Sequence, residues 1–145
     1  MWLKKYNKDV VLGMKGLCFW RPILMEKPLT HMPLAVLDPN TVSVEDCVTQ
    51  SLYGFAPNGP ATNMVLKYSE KHRWYYYPNM TKDEVLCFSQ IDVMKGVDNT
   101  LPDARVTCNF HTAFVDPTAP KQEEPRKSCE HRVQIYFKKR GAVDL

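Results

Sequence analysis

The sequence predicts one mainly β domain with one main helix, and three observations lead to that prediction. The 145 residues are enough for one closed hydrophobic core and too few for two. Eleven prolines against six glycines interrupt the chain often, which favours short strands and ordered loops. Runs of β-branched and aromatic residues recur, whereas only one segment carries a strong helix-start signal. We therefore expect residues 1–145 to form a single β-rich domain.

The first third of the chain predicts short strands. Residues 10–12 and 17–20 are β-rich runs that glycines separate and that Pro22 ends. Residues 34–37 form another such run before an Asp-Pro-Asn turn sequence. Residues 41–50 are ambiguous and could form a helical turn.

The middle of the chain predicts a β-hairpin followed by the main helix. Residues 63–69 and 73–77 are β-rich, and a short charged tip joins them. Thr81 suits a helix N-cap, and Glu84, three residues later, completes a capping box. The apolar positions that follow provide one buried face, so we expect a helix that ends at Gly96.

The last third predicts two strands around an exposed loop. Residues 105–114 are a β-rich run that ends in an Asp-Pro turn, and the proline-rich residues 117–125 form the loop. Residues 132–137 alternate between polar and apolar side chains, which predicts a strand with a buried apolar face. That face consists of Val133, Ile135 and Phe137.

The composition argues against nucleic-acid, membrane and disulfide-dependent functions. Nineteen Lys and Arg exceed sixteen Asp and Glu by too little to predict a nucleic-acid binder. Five cysteines without a Cys-x-x-Cys pair predict neither a disulfide framework nor a zinc site. No apolar run approaches the roughly 18 residues of a membrane helix, and charged residues interrupt any leader-like start. We expect a reduced, cytoplasmic protein.

Common catalytic signatures are absent from the sequence. It contains no GxGxxG, GxxxxGK[ST], HExxH or GxSxG pattern. None of the four histidines is followed two positions later by an acidic residue. The chain therefore lacks the His-x-Asp or His-x-Glu pair that iron sites with two histidines and one carboxylate take from one strand.

Four stretches, taken in order, resemble the AsaB-like hydroxylase/desaturase family of fungi and bacteria. They are Trp20-Arg21-Pro22; Pro33-Leu34-Ala35 leading to Asp38; His72–Tyr76 with Thr81 and Glu84; and His111–Pro117 followed by Pro125–Ser128 and Glu130–Arg132. The resemblance covers about residues 17–137. The family includes gibberellin-desaturase-type enzymes and a cephamycin methoxylation component, within the iron(II)/2-oxoglutarate oxygenases. It implies a truncated double-stranded β-helix (jelly-roll or cupin-like) domain, similar to the C-terminal part of those oxygenases.

The resemblance also implies roles for three residues. His111 corresponds to the distal iron ligand, and Arg126 with Ser128 to an Arg-x-Ser anchor for the 2-oxoglutarate carboxylate. A guanidinium beside a hydroxyl suits that role because it can bind a carboxylate in a bidentate manner. Family members are much longer and carry their His-x-Asp pair before the Trp-Arg-Pro motif, whereas no histidine precedes Trp20 here. We expect a natural short form that lacks two of the three iron ligands.

Our main hypothesis is a tailoring enzyme of fungal-type secondary metabolism that uses no metal or other cofactor. It would catalyse an isomerisation, cyclisation or elimination of an acidic or enolic small molecule. His111, whose imidazole titrates near neutral pH, would be the catalytic acid or base, and Tyr75 and Tyr77 would be proton donors. The side chains expected to bind the substrate are Arg126, Ser128, Arg132, Arg21, Trp20, Trp74 and Phe114.

Two alternatives stay open. The first is an Fe(II)/2-oxoglutarate-dependent hydroxylase or desaturase that is completed by assembly or by a partner supplying the missing ligands. The second is a non-catalytic binding or partner subunit. Since the absence of early barrel strands would expose sheet edges, which proteins normally pair or cover, we also expect a homodimer.

Overall fold

The computed structural model describes residues 11–54, 59–94, 108–120 and 124–138, and these ranges are mainly β. The strands are β1 (Val11–Pro22), β2 (Leu34–Leu37), β3 (Cys47–Leu52), β4 (Ala61–Leu66), β5 (Trp74–Tyr76), β6 (Leu86–Met94), β7 (His111–Ala113) and β8 (Ser128–Lys138). Two single 3-10 turns, Pro39–Thr41 and Val44–Asp46, are the helical elements of these ranges. No helix in the described part of the chain has the length and apolar character to cross a membrane. The predicted mainly β class is confirmed.

The strands form two three-stranded sheets and one hairpin. The first sheet has the order β6-β1-β8, the second has the order β5-β2-β7, and β3 pairs with β4. All these strand pairs are antiparallel. The long strand β1 is therefore the centre of the first sheet, and β2 is the centre of the second.

Strand β1 unites the two β-rich runs that the sequence separates at its glycines. Its pairing with β6 shifts register after Gly16, where a β-bulge lies. Gly16 pairs with Ile91 and Leu17 pairs with Ser89, so Gln90 has no register partner on β1. The bulge lets one strand continue through the glycines while the sheet bends.

The hydrophobic core lies between the two sheets. On β1, alternate residues are buried from Met14 to Pro22, and this buried side with its register partners is the inner face of the first sheet. Cys18 and Trp20 of that face pack in a cluster with Phe88 of β6 and Leu34 of β2. The cluster also contains the loop residues Met25, Leu29 and Met80. Apolar burial at this end thus holds both sheets together.

The predicted helix after Thr81 is wrong. The expected local contacts do form, because the Thr81 N–H donates to Glu84 Oε2 at 2.7 Å and the Glu84 N–H donates to the Thr81 carbonyl at 3.2 Å. They close a single turn, after which the chain enters β6. Phe88 and its neighbours then pair with β1 over eight register positions. This long-range pairing overrides the local helix signal.

Two further expectations about strand pairing need correction. The predicted hairpin of residues 63–69 with 73–77 does not form, because β4 pairs with β3 and β5 pairs with β2. The ambiguous segment 41–50 contains the end of the first 3-10 turn, the whole second turn and the start of β3. Of the strand predicted at 105–114, only β7 is regular, and residues 105–107 lie outside the described residues.

Strand β8 forms as predicted, but its two faces are reversed. The apolar residues lie on the outer face, where Val133, Ile135 and Phe137 are 46%, 40% and 39% exposed. The polar residues belong to the inner face, because they pair with buried residues of β1. These residues are Ser128, Glu130, Arg132, Gln134 and Tyr136. Alternation defines two faces but does not determine which one points inward.

Asn109 joins the two sheets by hydrogen bonds. Its Nδ2 donates to the Leu37 carbonyl of β2 at 3.0 Å. Its Oδ1 accepts the Ser89 N–H of β6 at 3.2 Å, and its backbone N–H donates to the Ser89 carbonyl at 2.7 Å. Because the neighbouring Phe110 carbonyl accepts the Leu37 N–H at 2.8 Å, this segment is fixed against both sheets.

We predict that Asn109→Ala lowers the free energy of unfolding by about 2–3 kcal/mol. The substitution removes two hydrogen bonds and leaves half-buried backbone groups without their partners. Urea unfolding monitored by circular dichroism measures this change. The control is Asn63→Ala on the exposed strand β4, which we expect to change stability by less than about 0.5 kcal/mol. Equal losses in the two variants would contradict the role of Asn109.

Candidate functional site

His111 has one free ring nitrogen next to the core. The residue lies on β7 opposite Val36, and its ring centroid is 4.7 Å from that of Phe88. Its Nδ1 is 3.2 Å from the Asn109 carbonyl oxygen. Since a carbonyl only accepts, Nδ1 must carry the proton, which leaves the lone pair of neutral imidazole on Nε2. Within the described residues Nε2 has no hydrogen-bond partner, so it is available as a base or a ligand.

A carboxylate, a guanidinium and a thiol form a cluster on the inner face beside His111. Arg132 Nε donates to Glu130 Oε1 at 2.5 Å. Burial alone would raise the pKa of Glu130, but hydrogen bonds from Arg132 and Cys18, together with the positive charge of Arg132, hold it below its ordinary value. Burial and the neighbouring Glu130 raise the pKa of the Cys18 thiol to about 12. Glu130 is therefore ionised and Cys18 is an unreactive thiol at neutral pH.

Arg126 and Ser128 have unused hydrogen-bonding capacity. The Arg126 guanidinium lies 5.8 Å from the Trp20 ring centroid, and one terminal nitrogen donates to the Met32 carbonyl at 2.7 Å. The other N–H groups of Arg126 and the Ser128 hydroxyl have no partner among the described residues. Lys127, between them, instead binds Glu124 at 2.8 Å at the surface. A fixed guanidinium with free donors beside a hydroxyl suits a carboxylate ligand.

The two predicted proton donors, Tyr75 and Tyr77, differ in their relation to His111. Tyr75 pairs with Val36, which also pairs with His111, so the three share one face of the second sheet. Tyr77 is exposed, and a hydrogen bond to Glu84 raises the pKa of its phenol. The structure thus places Tyr75 in the same row as His111 and engages Tyr77 elsewhere.

The remaining predicted residues divide between the inner face and the surface. Trp20 is buried and contacts the Arg126 guanidinium, and Arg132 belongs to the inner face. Arg21 is exposed on the outer face, since it follows Trp20 by one position on the same strand. Trp74 is 42% exposed on β5, and Phe114 packs edge-on against Tyr76 at 4.9 Å. The structure therefore places Trp20 against Arg126 and puts Ser128 and Arg132 on the same face as Trp20, whereas Arg21, Trp74 and Phe114 lie elsewhere.

Sequence reasoning missed Asn109 and Glu130. Asn109 fixes the tautomer of His111, and Glu130 is the carboxylate nearest to Arg132 in the cluster. The Asn-x-His spacing at 109–111 was the one local signal, because alternate strand residues share a face. The position of Glu130 depends on which face of β8 points inward, and the sequence does not show this.

The described residues fit a carboxylate ligand better than a metal ion. In the ranges that the structure describes, no three His, Cys, Asp or Glu side chains lie close enough to hold a metal. His111 supplies one nitrogen, and Glu130 is already bonded to Arg132. The described part of the chain does not form a metal site by itself, whereas Arg126 and Ser128 keep hydrogen-bond donors that suit a carboxylate.

Comparison with known proteins gives consistent matches. The family model described as "Oxidoreductase/YMDC permease-like domain" matches residues 13–136. The Fe(II)/2-oxoglutarate-dependent dioxygenase nvfI of Aspergillus novofumigatus is 29% identical over 118 residues, which are 81% of this chain and 38% of the relative. The hydroxylase/desaturase asaB of Aspergillus flavus is 30% identical over 131 residues, with 81% of this chain and 53% of the relative covered. The chain thus spans about half or less of these relatives.

A solved structure matches in fold as well as in sequence. The iron and alpha-ketoglutarate-dependent endoperoxidase NvfI superposes with a TM-score of 0.66 at 28% identity. The match covers 88% of this chain and 44% of the endoperoxidase. It confirms the predicted double-stranded β-helix fold and the resemblance to AsaB-like hydroxylase/desaturases.

We predict that Glu130→Gln lowers stability at neutral pH and that this loss disappears in acid. Because the folded-state pKa of Glu130 is below the unfolded value of about 4.3, the ionised carboxylate contributes stability above that pH. The contribution is lost as the pH falls through the folded-state pKa. Unfolding free energies of wild type and variant between pH 7 and pH 2.5 test this. The control is Glu70→Gln on an exposed turn. If Glu130→Gln differed from wild type by the same free energy at every pH, the prediction would be contradicted.

Proposed function

The chain belongs to the family described as the oxidoreductase/YMDC permease-like domain, and from that membership we propose that it contributes to an Fe(II)/2-oxoglutarate-dependent hydroxylase or desaturase. The reaction would tailor a secondary metabolite, as the names of several fungal relatives indicate for those proteins. The relatives favour the Fe(II)/2-oxoglutarate-dependent reaction. Our main hypothesis of a metal-independent isomerisation, cyclisation or elimination is not confirmed.

One observation carries the proposal: a free imidazole nitrogen and a guanidinium–hydroxyl pair with free donors both adjoin the inner face of the first sheet. His111 contacts Phe88 of the inner face, and Arg126 contacts Trp20 of the same face. The bonds to the Asn109 and Met32 carbonyls hold both side chains before a ligand arrives. Such preorganisation reduces the entropy lost when an oxoacid binds.

Each of these residues has a defined role in binding. Arg126 would donate its free N–H groups to the distal carboxylate of 2-oxoglutarate, and Ser128 would add a third hydrogen bond. The Trp20 ring shields the guanidinium from water on one side, which strengthens the charge-assisted bonds. His111 would provide one nitrogen donor, and the other iron ligands would come from outside the described residues.

Three earlier expectations stay predictions. These are the single domain of residues 1–145, the cytoplasmic location and the homodimer. The edge of β8 has no strand partner other than β1 within the described ranges, so a second copy or another partner could pair there. An acidic small molecule stays the expected ligand, because the free donors of Arg126 are cationic.

We predict that Arg126→Lys weakens the binding of 2-oxoglutarate at least about tenfold, because an ammonium group cannot reproduce the planar bidentate contact. Lys127→Ala is the matched control. Its side chain binds only Glu124 at the surface, so its loss should leave the affinity unchanged. Titration calorimetry with 2-oxoglutarate measures both. Equal affinities in the two variants would show that Arg126 does not anchor the ligand.

For the reaction, we expect the purified full chain, supplied with Fe(II), ascorbate and oxygen, to convert 2-oxoglutarate to succinate if its assembly completes the iron site. EDTA and His111→Ala should each abolish succinate formation, whereas Lys127→Ala should retain it. No succinate in any assembly state would overturn the proposal.

A metal-independent acid–base enzyme is the second candidate, because the bond to the Asn109 carbonyl makes Nε2 of His111 a defined base. It predicts conversion of an acidic or enolic substrate that persists in EDTA and without 2-oxoglutarate. A non-catalytic subunit predicts that replacing His111 and Arg126 together leaves the biological output unchanged.

A further inference from the structure

We infer that a second ligand subsite lies at the β-bulge of β1 and binds a neutral carbonyl oxygen of the substrate, as in a ketone, ester or lactone. The inference rests on the proposed function, since it assigns the substrate class of that enzyme. A cavity of about 520 Å³ lies there, within the range of about 300–1,000 Å³ typical of small-molecule sites. Its lining residues are Gly16, Gln90, Ile91, Arg132, Val133 and Gln134.

The bulge creates this cavity. Gly16 pairs with Ile91 on one side and with Gln134 on the other, while Gln90 has no register partner on β1. A bulge re-aims the side chain of the extra residue, which here is Gln90. Gly16 keeps the cavity open, because a Cβ at this position would lie 3.2 Å from Ile91 Cβ.

The polar groups of the cavity are oriented as donors. The Tyr136 hydroxyl donates to Gln134 Oε1 at 2.8 Å, so the Gln134 amide has its N–H₂ group left for a ligand. Arg132 uses Nε to bind Glu130 and also bonds to Cys18, which leaves it only part of its five N–H donors. Within the described residues, the Gln90 amide has no partner. Because the remaining groups of Gln134 and Arg132 can only donate, a ligand group next to them must accept hydrogen bonds.

The charge balance selects a neutral acceptor over an anion. The Glu130 carboxylate is bonded to Arg132, so it offsets the charge of the one cation that lines the cavity among the described residues. Ile91, which pairs with Gly16, supplies apolar surface. Amide donors, apolar walls and an already paired guanidinium together suit a carbonyl on a hydrocarbon skeleton.

The register also sets the size of the substrate. Cys18 of β1 pairs with Phe88, and Phe88 faces His111. Gly16 is the next residue of β1 on the same inner face. Alternate residues of a strand are about 7 Å apart. The bound carbonyl should therefore lie roughly 7 Å along the strand from the row that faces His111, which requires an extended or polycyclic substrate.

Coumarin, a neutral lactone, and naphthalene, a fused ring system without oxygen, are suitable probes for the full-length protein. We expect protein-observed NMR titration to show coumarin binding at least fivefold more tightly than naphthalene. Gln134→Leu and Gln90→Leu should each weaken coumarin binding about fivefold, because each removes one amide hydrogen bond at nearly constant volume. The control is Gln50→Leu on the exposed strand β3, which should change nothing.

Three results would overturn the inference: no coumarin binding, equal affinity for both probes, or coumarin affinity that the Gln90→Leu variant retains. If Gln134→Leu does not fold, Gln90→Leu alone decides. Arg126→Lys separates this inference from the proposed function. It should leave coumarin binding intact while it weakens 2-oxoglutarate binding, and parallel losses would place coumarin at the carboxylate site instead.

Discussion

The hydrogen bonds of Asn109 are the interaction on which the rest of the site depends. One side chain bonds to β2 and β6, and the backbone carbonyl of the same residue fixes the tautomer of His111. The distance between the sheets and the chemistry of the imidazole are therefore set by one residue. A change that loosened the sheets at this point would also alter which nitrogen of His111 carries the proton.

The two ends of the inner face are packed differently. Around Trp20 the space between the sheets is filled by Met25, Leu29 and Met80, and this packing supports Arg126. Around Gly16 the same face carries polar side chains and encloses a cavity. The fold thus concentrates its apolar packing around Trp20 and has polar side chains beside a cavity around Gly16.

Structural features that depend on neighbouring residues could be predicted from the sequence. Features that depend on residues far apart in the chain could not. The strands β2 and β8 follow from local composition. The helix after Thr81 failed because pairing with β1 decides the conformation there. Asn109 could not be identified because its partners Ser89 and Leu37 lie 20 and 72 positions away in the chain.

The pairing of β1 with β8 has a consequence for biosynthesis. These strands lie at opposite ends of the described chain, and Gly16 meets Gln134 across more than a hundred residues. On the ribosome, β8 emerges more than a hundred residues after β1, so the first sheet cannot be completed before that length of chain has been made. Until then the edge of β1 that pairs with β8 is open, and pairing between such distant segments is slow.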